Sequence, residues 1–193
     1  KELLNFCTVD LSAFYFDIRK DILYCDAISS KKRKNCTLVL NVIIECLIKW
    51  FAPILSFTTE EIFSLICKNE ESIHLKKFVN IPKEWNNQKL GEKWTNLKKI
   101  RDHCNISIEE KRAEKIIGSS LEAKIKIKLK NKFFEVANSI NFAELCITSE
   151  AVIVKDEKIA TDIEVETFKA EGSKCSICWK IKQNKCERSN CPI

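Results

Sequence analysis

The chain has 193 residues, of which 45% are hydrophobic and 31% charged, and it carries a formal net charge of +6. That is room for one or two modest domains and a small appendage, with ordinary globular apolar content and a mild lean toward polyanions. A membrane span is excluded, because the most apolar stretch, Val39 to Leu55, is interrupted by Asn41, Glu45, Lys49 and Pro53.

Three glycines, Gly91, Gly118 and Gly172, lie too far apart to build a phosphate-cradling loop. Methionine is absent, so the chain is expected to be a piece of something longer. Only five of the 33 cations are arginine, which favours mobile point charges over bidentate readout. A lysine- and isoleucine-rich codon bias accounts for this as readily as function does.

Leu11 to Cys25 reads as an amphipathic helix bearing Phe14, Tyr15, Phe16, Ile18 and Leu23. A turn is expected over Ser29, Ser30, Lys31, Lys32, Arg33 and Lys34, where the four cations are either a solvated loop or a phosphate contact. From Asn35 onward, Thr37, Asn41, Glu45 and Lys49 recur every fourth residue among apolar neighbours. That pattern predicts one narrow polar stripe on an otherwise buried helix, ending at Ala52-Pro53. Thr58 with Glu61 suggests a capping box opening the next helix.

Residues 69 to 92 read as a long connection. Trp94 to Ile117 reads as a charged helix with Gly118 as its C-terminal cap. The period then changes. Lys124 to Lys130 alternates strictly, with Ile125, Ile127 and Leu129 on one face and Lys124, Lys126, Lys128 and Lys130 on the other, as in a half-buried strand. Its lysine face is either solvated or a surface that tracks a nucleic-acid backbone. A helix is expected over Lys132 to Ala137, and strands over Glu144 to Thr148 and Ala151 to Lys155.

The last nineteen residues hold Cys175, Cys178, Cys186 and Cys191, spaced C-x2-C-x7-C-x4-C. A C-x2-C pair puts two sulfurs on one tight turn, at two corners of a tetrahedron, and a returning pair fills the others. Residues 171 to 193 have few large apolar side chains (Ile177, Trp179, Ile181, Ile193), and so small a unit needs a staple. One structural zinc fits best; disulfides or unliganded thiols are the alternatives. The other cysteines (Cys7, Cys25, Cys36, Cys46, Cys67, Cys104, Cys146) are scattered in apolar runs and read as small buried hydrophobes of a reducing compartment. His74 and His103 have no catalytic partner at a recognisable spacing. In His103-Cys104, adjacent helical positions point in different directions.

Phe6 to Asp21, reading FCTVDLSAFYFDIRKD, and Lys49 to Phe63, reading KWFAPILSFTTEEIF, resemble the anticodon-binding helical region of bacterial-type isoleucyl-tRNA synthetases. The second stretch is shared more widely with the class I synthetases for valine and leucine. The FYFD run, Gly118 to Ala123, and a cysteine finger after Ala170-Glu171-Gly172 with Trp179 behind its first pair are closer to the isoleucine branch. The resemblance covers nearly the whole chain in order. It departs in the finger, whose loop is short and whose closing pair is C-x4-C.

The resemblance implies a mainly α fold with a smaller α/β part. Its parts would be a helical-bundle anticodon-binding domain over 1–100, a small α/β junction domain over 101–170, and a zinc-ribbon-like four-cysteine finger over 171–193. It implies a cytoplasmic, monomeric parent that joins isoleucine to tRNA(Ile) with ATP and Mg2+ and edits mischarged valine, through N-terminal catalytic and editing domains outside this chain. The signatures His-Ile-Gly-His and Lys-Met-Ser-Lys-Ser are missing here, so this chain alone is expected to be catalytically silent. An anticodon stem-loop needs cations for its phosphates and exposed aromatics for unstacked bases. Lys31, Lys32, Arg33 and Lys34, the Lys124 to Lys130 face, and Lys180, Lys182, Lys185 and Arg188 are candidates for the first role. Trp179 is a candidate for the second or for the core.

Overall fold

A computed structural model describes residues 1–68 and 71–184. The fold is mainly α, with a small mixed sheet, and divides into two compact units: Lys1–Ala27 with Asn87–Ile193, and Ile28–Asn86. Among the described residues no helix is long and apolar enough to cross a membrane.

The first unit opens on a continuous helical run: α1 (Glu2–Asn5), a stretch of wider π turns (Phe6–Phe16) and α2 (Asp17–Cys25). Leu11, Ile18, Ile22 and Cys25 are its buried residues, one apolar stripe at helical spacing. The long helix α5 (Gln88–Ala113) begins within the first of the three regions read from the sequence and ends within the second. Its Leu97, Ile100, Cys104 and Ile108 enter one core with the inward residues of β1 (Ala123–Leu129).

The lysine-isoleucine alternation produces the expected strand: Ala123, Ile125, Ile127 and Leu129 are fully buried, and the residues between them are half-buried. Ile125, Ile127 and Leu129 each contribute roughly 1.5–3 kcal/mol by leaving water. β1 is the middle strand of the order β2-β1-β3, parallel to β2 (Glu150–Lys155) and antiparallel to β3 (Ile163–Lys169). A parallel pair needs a crossover, which α6 (Asn131–Ala137) and α7 (Phe142–Leu145) supply. A short hairpin, β4 (Ser173–Lys174) with β5 (Ile181–Lys182), follows.

Two sequence expectations are corrected in this unit, and one strand is added to it. Glu144 to Thr148 is not a strand. α7 ends there, with Ile147 at φ 57° and the Thr148 N–H donating to Ala143 O at 3.0 Å, the reversal that closes a helix C-terminus. Gly118 does not cap α5. Lys115 takes the left-handed position at φ 61°, and the Ile116 N–H reaches back to Lys111 O at 3.1 Å. β3 is an additional strand.

The second unit is built on α3 (Lys31–Phe51) and α4 (Ser56–Ile66), with single 3₁₀ turns at Ile73–Leu75 and Lys83–Trp85. α3 stops before Ala52-Pro53, as the proline requires. Its polar stripe is only half of the expected picture. Thr37, Asn41 and Glu45 are exposed, but so are Leu38 and Val39, because among the described residues of this unit the buried hydrophobic side chains are few: Cys36, Cys46, Ile48, Ala52, Phe63 and Ile73. The expected capping box is absent. α4 begins two residues before Thr58, and Thr59 Oγ1 donates to Leu55 O at 3.0 Å. The neighbouring Glu60 instead accepts from Ser72 Oγ at 2.8 Å and from the Ile73 N–H at 3.1 Å, tying the next turn down.

Candidate nucleic-acid interface and cysteine turn

Lys31, Lys32, Arg33 and Lys34 form the first turn of α3, not the loop read from the sequence. The Lys34 N–H donates to Ser30 O at 3.0 Å, and the Ser30 side chain makes no cap bond. Four cations thus sit on the positive end of a helix dipole, where each is unfavourable by roughly 0.3–1 kcal/mol and an anion is favoured. Lys31, Lys32 and Lys34 are exposed and Arg33 is half-buried.

The β1 lysines have partners that only the folded register supplies. Lys124 Nζ lies 2.9 Å from Glu150 Oε1, and Lys130 Nζ lies 3.8 Å from Asp162 Oδ1. Lys128 Nζ lies 2.9 Å from Glu164 and 2.7 Å from Glu166. These two carboxylates raise the Lys128 pKa above its ordinary value, and Lys128 in turn holds the Glu166 carboxyl below the usual range. Lys126 faces Val152 and Glu166 in register. On the solvent side of the sheet these ion pairs alternate with apolar neighbours, Val152, Val154 and Phe168, that stand opposite the lysines of β1.

The C-terminal turn positions Cys175 and Cys178 by backbone hydrogen bonds. The Ile177 N–H donates to Cys175 Sγ at 3.4 Å, the Trp179 N–H to Cys175 O at 3.0 Å, and the Cys175 N–H to Lys180 O at 2.9 Å. An amide directed at sulfur stabilises a thiolate, so this half-site suits a thiophilic metal. Cys186, Cys191, Lys185 and Arg188 lie outside the described residues, and among the described residues no group of three metal-ligating side chains comes together. Trp179 follows the second cysteine at φ 60° with 60% of its surface exposed, and Lys174 Nζ stands 5.9 Å from its ring centroid.

Lys180, a candidate phosphate contact by sequence, is placed otherwise. Its Nζ lies 4.0 Å from Asp21 Oδ2, and both side chains are largely buried. Lys182 is half-buried in β5.

The FYFD run holds the first unit together. The Phe14 ring meets Trp94 edge-on at 6.1 Å, Lys98 Nζ stands 4.5 Å from the Phe14 centroid, and Arg101 reaches Asp17 at 3.5 Å. Arg19, two residues on, pairs with Glu144 at 2.7 Å.

No disulfide joins the described cysteines, and most of those outside the finger are buried. Cys104 lies against Cys146, which with desolvation pushes its thiol far above the ordinary range. His103 is exposed with its ring Nδ1 3.0 Å from Lys99 O, separate from buried Cys104. Asp21, Cys25 and Ser149 also touch the cysteine turn. They lie far from it in the sequence, and no local spacing pointed to them.

Residues 1–127 match the family model for the anticodon-binding domain of tRNA ligases. The isoleucine–tRNA ligase of Pelagibacter ubique is 58% identical over 188 residues, covering 97% of this chain and 21% of the relative. That of Agrobacterium fabrum is 44% identical over 190 residues, covering 94% and 20%, and that of Bartonella quintana 42% over 193 residues, covering 95% and 20%. The chain therefore spans about a fifth of the length of these relatives. With the match extending from the first helical run through α5 into β1, the chain belongs to the tRNA-ligase anticodon-binding domain family.

Proposed function

We propose that this chain is the tRNA-binding portion of an isoleucine–tRNA ligase. It holds the anticodon stem-loop while the rest of the parent polypeptide carries out the ATP- and Mg2+-dependent attachment of isoleucine to tRNA(Ile) in the cytoplasm. The observation that carries this reading is Trp179. A bulky residue at φ 60° costs about 1–2 kcal/mol, and the indole it presents lies open to solvent beside a lysine. Strain of this kind gathers where a side chain is needed for function, and an exposed ring with an adjacent cation suits an unstacked base. Family membership supports the same partner.

In this division of labour, residues 1–100 are the helical anticodon-binding part, 101–170 the α/β junction and 171–193 a zinc finger. Lys31, Lys32, Arg33 and Lys34 take phosphates. Lys124, Lys126, Lys128, Lys130 and Lys180 contribute less, because partners already neutralise most of them. Lys182, Lys185 and Arg188 add local positive charge. Cys175, Cys178, Cys186 and Cys191 would hold one structural zinc ion, which supplies a cross-link between the halves of the finger and leaves no open position for chemistry. Cys175 and Cys178 keep the two sulfurs on one hydrogen-bonded turn.

A second reading, in which the chain braces the catalytic part with little affinity for free tRNA, is favoured by the apolar surface of the second unit. Phe57 is 93% exposed there, with Ile54 and Leu65 also in solvent.

A binding titration of zinc-loaded protein against isoleucine and valine tRNAs at two salt concentrations separates the readings. Salt-sensitive binding that prefers isoleucine tRNA is expected. A folded sample that fails to bind at low salt would leave the bracing role.

A further inference from the structure

Three side chains from outside the cysteine turn converge on it. Cys25, at the end of α2 and only 8% exposed, donates its thiol to Ile177 O at 3.8 Å. Asp21, one helical turn earlier, faces Lys180 Nζ at 4.0 Å with side-chain exposures of 17% and 13%. Ser149, just before β2, accepts the Ile181 N–H at 2.7 Å and donates to Leu121 O. Asp21 and Cys25 stand four residues apart and so share a face of α2.

The residues gripped are those that set the geometry of the sulfurs. Ile177 lies between the two cysteines, with its own N–H aimed at Cys175 Sγ. Lys180 closes the turn by accepting the Cys175 N–H, and Ile181 is the first residue of β5. Clamping positions 177, 180 and 181 from two sides therefore fixes the separation and direction of Cys175 and Cys178 before any ion arrives.

We propose that Asp21, Cys25 and Ser149 are positioning residues for the metal turn, none of them a ligand, and that zinc occupancy is consequently coupled to the order of α2. The proposal rests on the zinc reading given above. Supporting residues behind metal ligands change metal affinity by about 10–100-fold when removed. Preorganisation also works in reverse, because an ion that stabilises the turn must protect the helix that holds it.

The test is a zinc titration of the chain against a chromophoric chelator, with amide hydrogen exchange followed with and without one equivalent of zinc. D21N and S149A are each expected to weaken zinc binding about tenfold. C25A is expected to weaken it as well, while C25S, which keeps a donor toward Ile177 O, stays near wild type. T95A, on the exposed face of α5, is expected to match wild type. In the unsubstituted protein, zinc is expected to slow exchange at Ile22 to Cys25. Zinc uptake with unchanged exchange in α2, or full affinity in the D21N, S149A and C25A proteins, would overturn the coupling alone. No zinc uptake by the wild-type chain would overturn the metal reading and the coupling together.

Discussion

The ammonium of Lys128 stands 2.7 Å from the Glu166 carboxylate, diagonally across the β1–β3 register, while its direct partner Glu164 lies 2.9 Å away on the same face. The contacts shift both groups in the direction that favours the charged pair. Glu166, held below its usual range, stabilises the fold above the unfolded-state value near pH ~4.3, and that contribution is lost as the pH falls through its folded value. Lys128, raised, contributes below pH ~10.4 and loses its contribution as the pH rises beyond that. The stability gap between wild type and K128Q should thus be level from about pH 5 to 9 and close on acidification. Urea denaturation across pH measures it; a gap that widens in acid would refute the pairing.

The cations of α3 should behave oppositely in two assays. Replacing Lys31, Lys32 and Lys34 with glutamine removes charge from the positive end of a helix, so each change should stabilise the protein by roughly 0.3–1 kcal/mol. The same triple variant should bind tRNA more weakly, with the slope of log affinity against log salt shallower by about 2–3 if all three contact phosphate. K128Q should change that slope far less, because Glu164 and Glu166 already neutralise the lysine. A triple variant with the wild-type salt slope would remove α3 from the interface.

What was legible in the sequence follows the range of the interactions involved. β1 could be read because alternation is local: four inward apolar residues and their polar neighbours suffice. The stop of α3 at Pro53 is equally local. The end of α5 was misplaced because a non-glycine residue, Lys115, occupies the left-handed position, and no side-chain signal announces that. The four outward lysines could be read as a cationic surface, whereas Glu164 and Glu166 lie 36 and 38 residues from Lys128 and meet it only through the strand register. Asp21 and Cys25 escaped for the same reason: their contacts on the cysteine turn span more than 150 residues.

Gly172 is where the hairpin has no tolerance for a side chain. Its φ is 128°, and a Cβ there would collide with the Lys182 carbonyl. G172A should therefore open the β4–β5 pairing and release the turn that carries both cysteines. The expected result is faster amide exchange at Cys175, whose N–H is held by Lys180 O across the hairpin, with the sheet of β1, β2 and β3 unaffected. Wild-type exchange in the hairpin would contradict the close approach.

Trp179 separates a stacking role from a packing role. An indole with 60% of its surface in solvent contributes little to the core, so W179A should fold with normal zinc content. It should nevertheless lose about 1–3 kcal/mol of tRNA affinity, the usual cost of deleting one base-stacking aromatic. W179G should lose the same affinity but melt higher than W179A, because glycine relieves the positive φ at a gain of about 1 kcal/mol. Removing the neighbouring charge with K174Q should weaken binding less, since the cation supports the ring from 5.9 Å away and the ring itself carries the stacking. Filter binding and thermal melts on the three variants decide the matter: W179A that binds as wild type assigns the indole no RNA contact, and W179A that fails to fold returns it to the core.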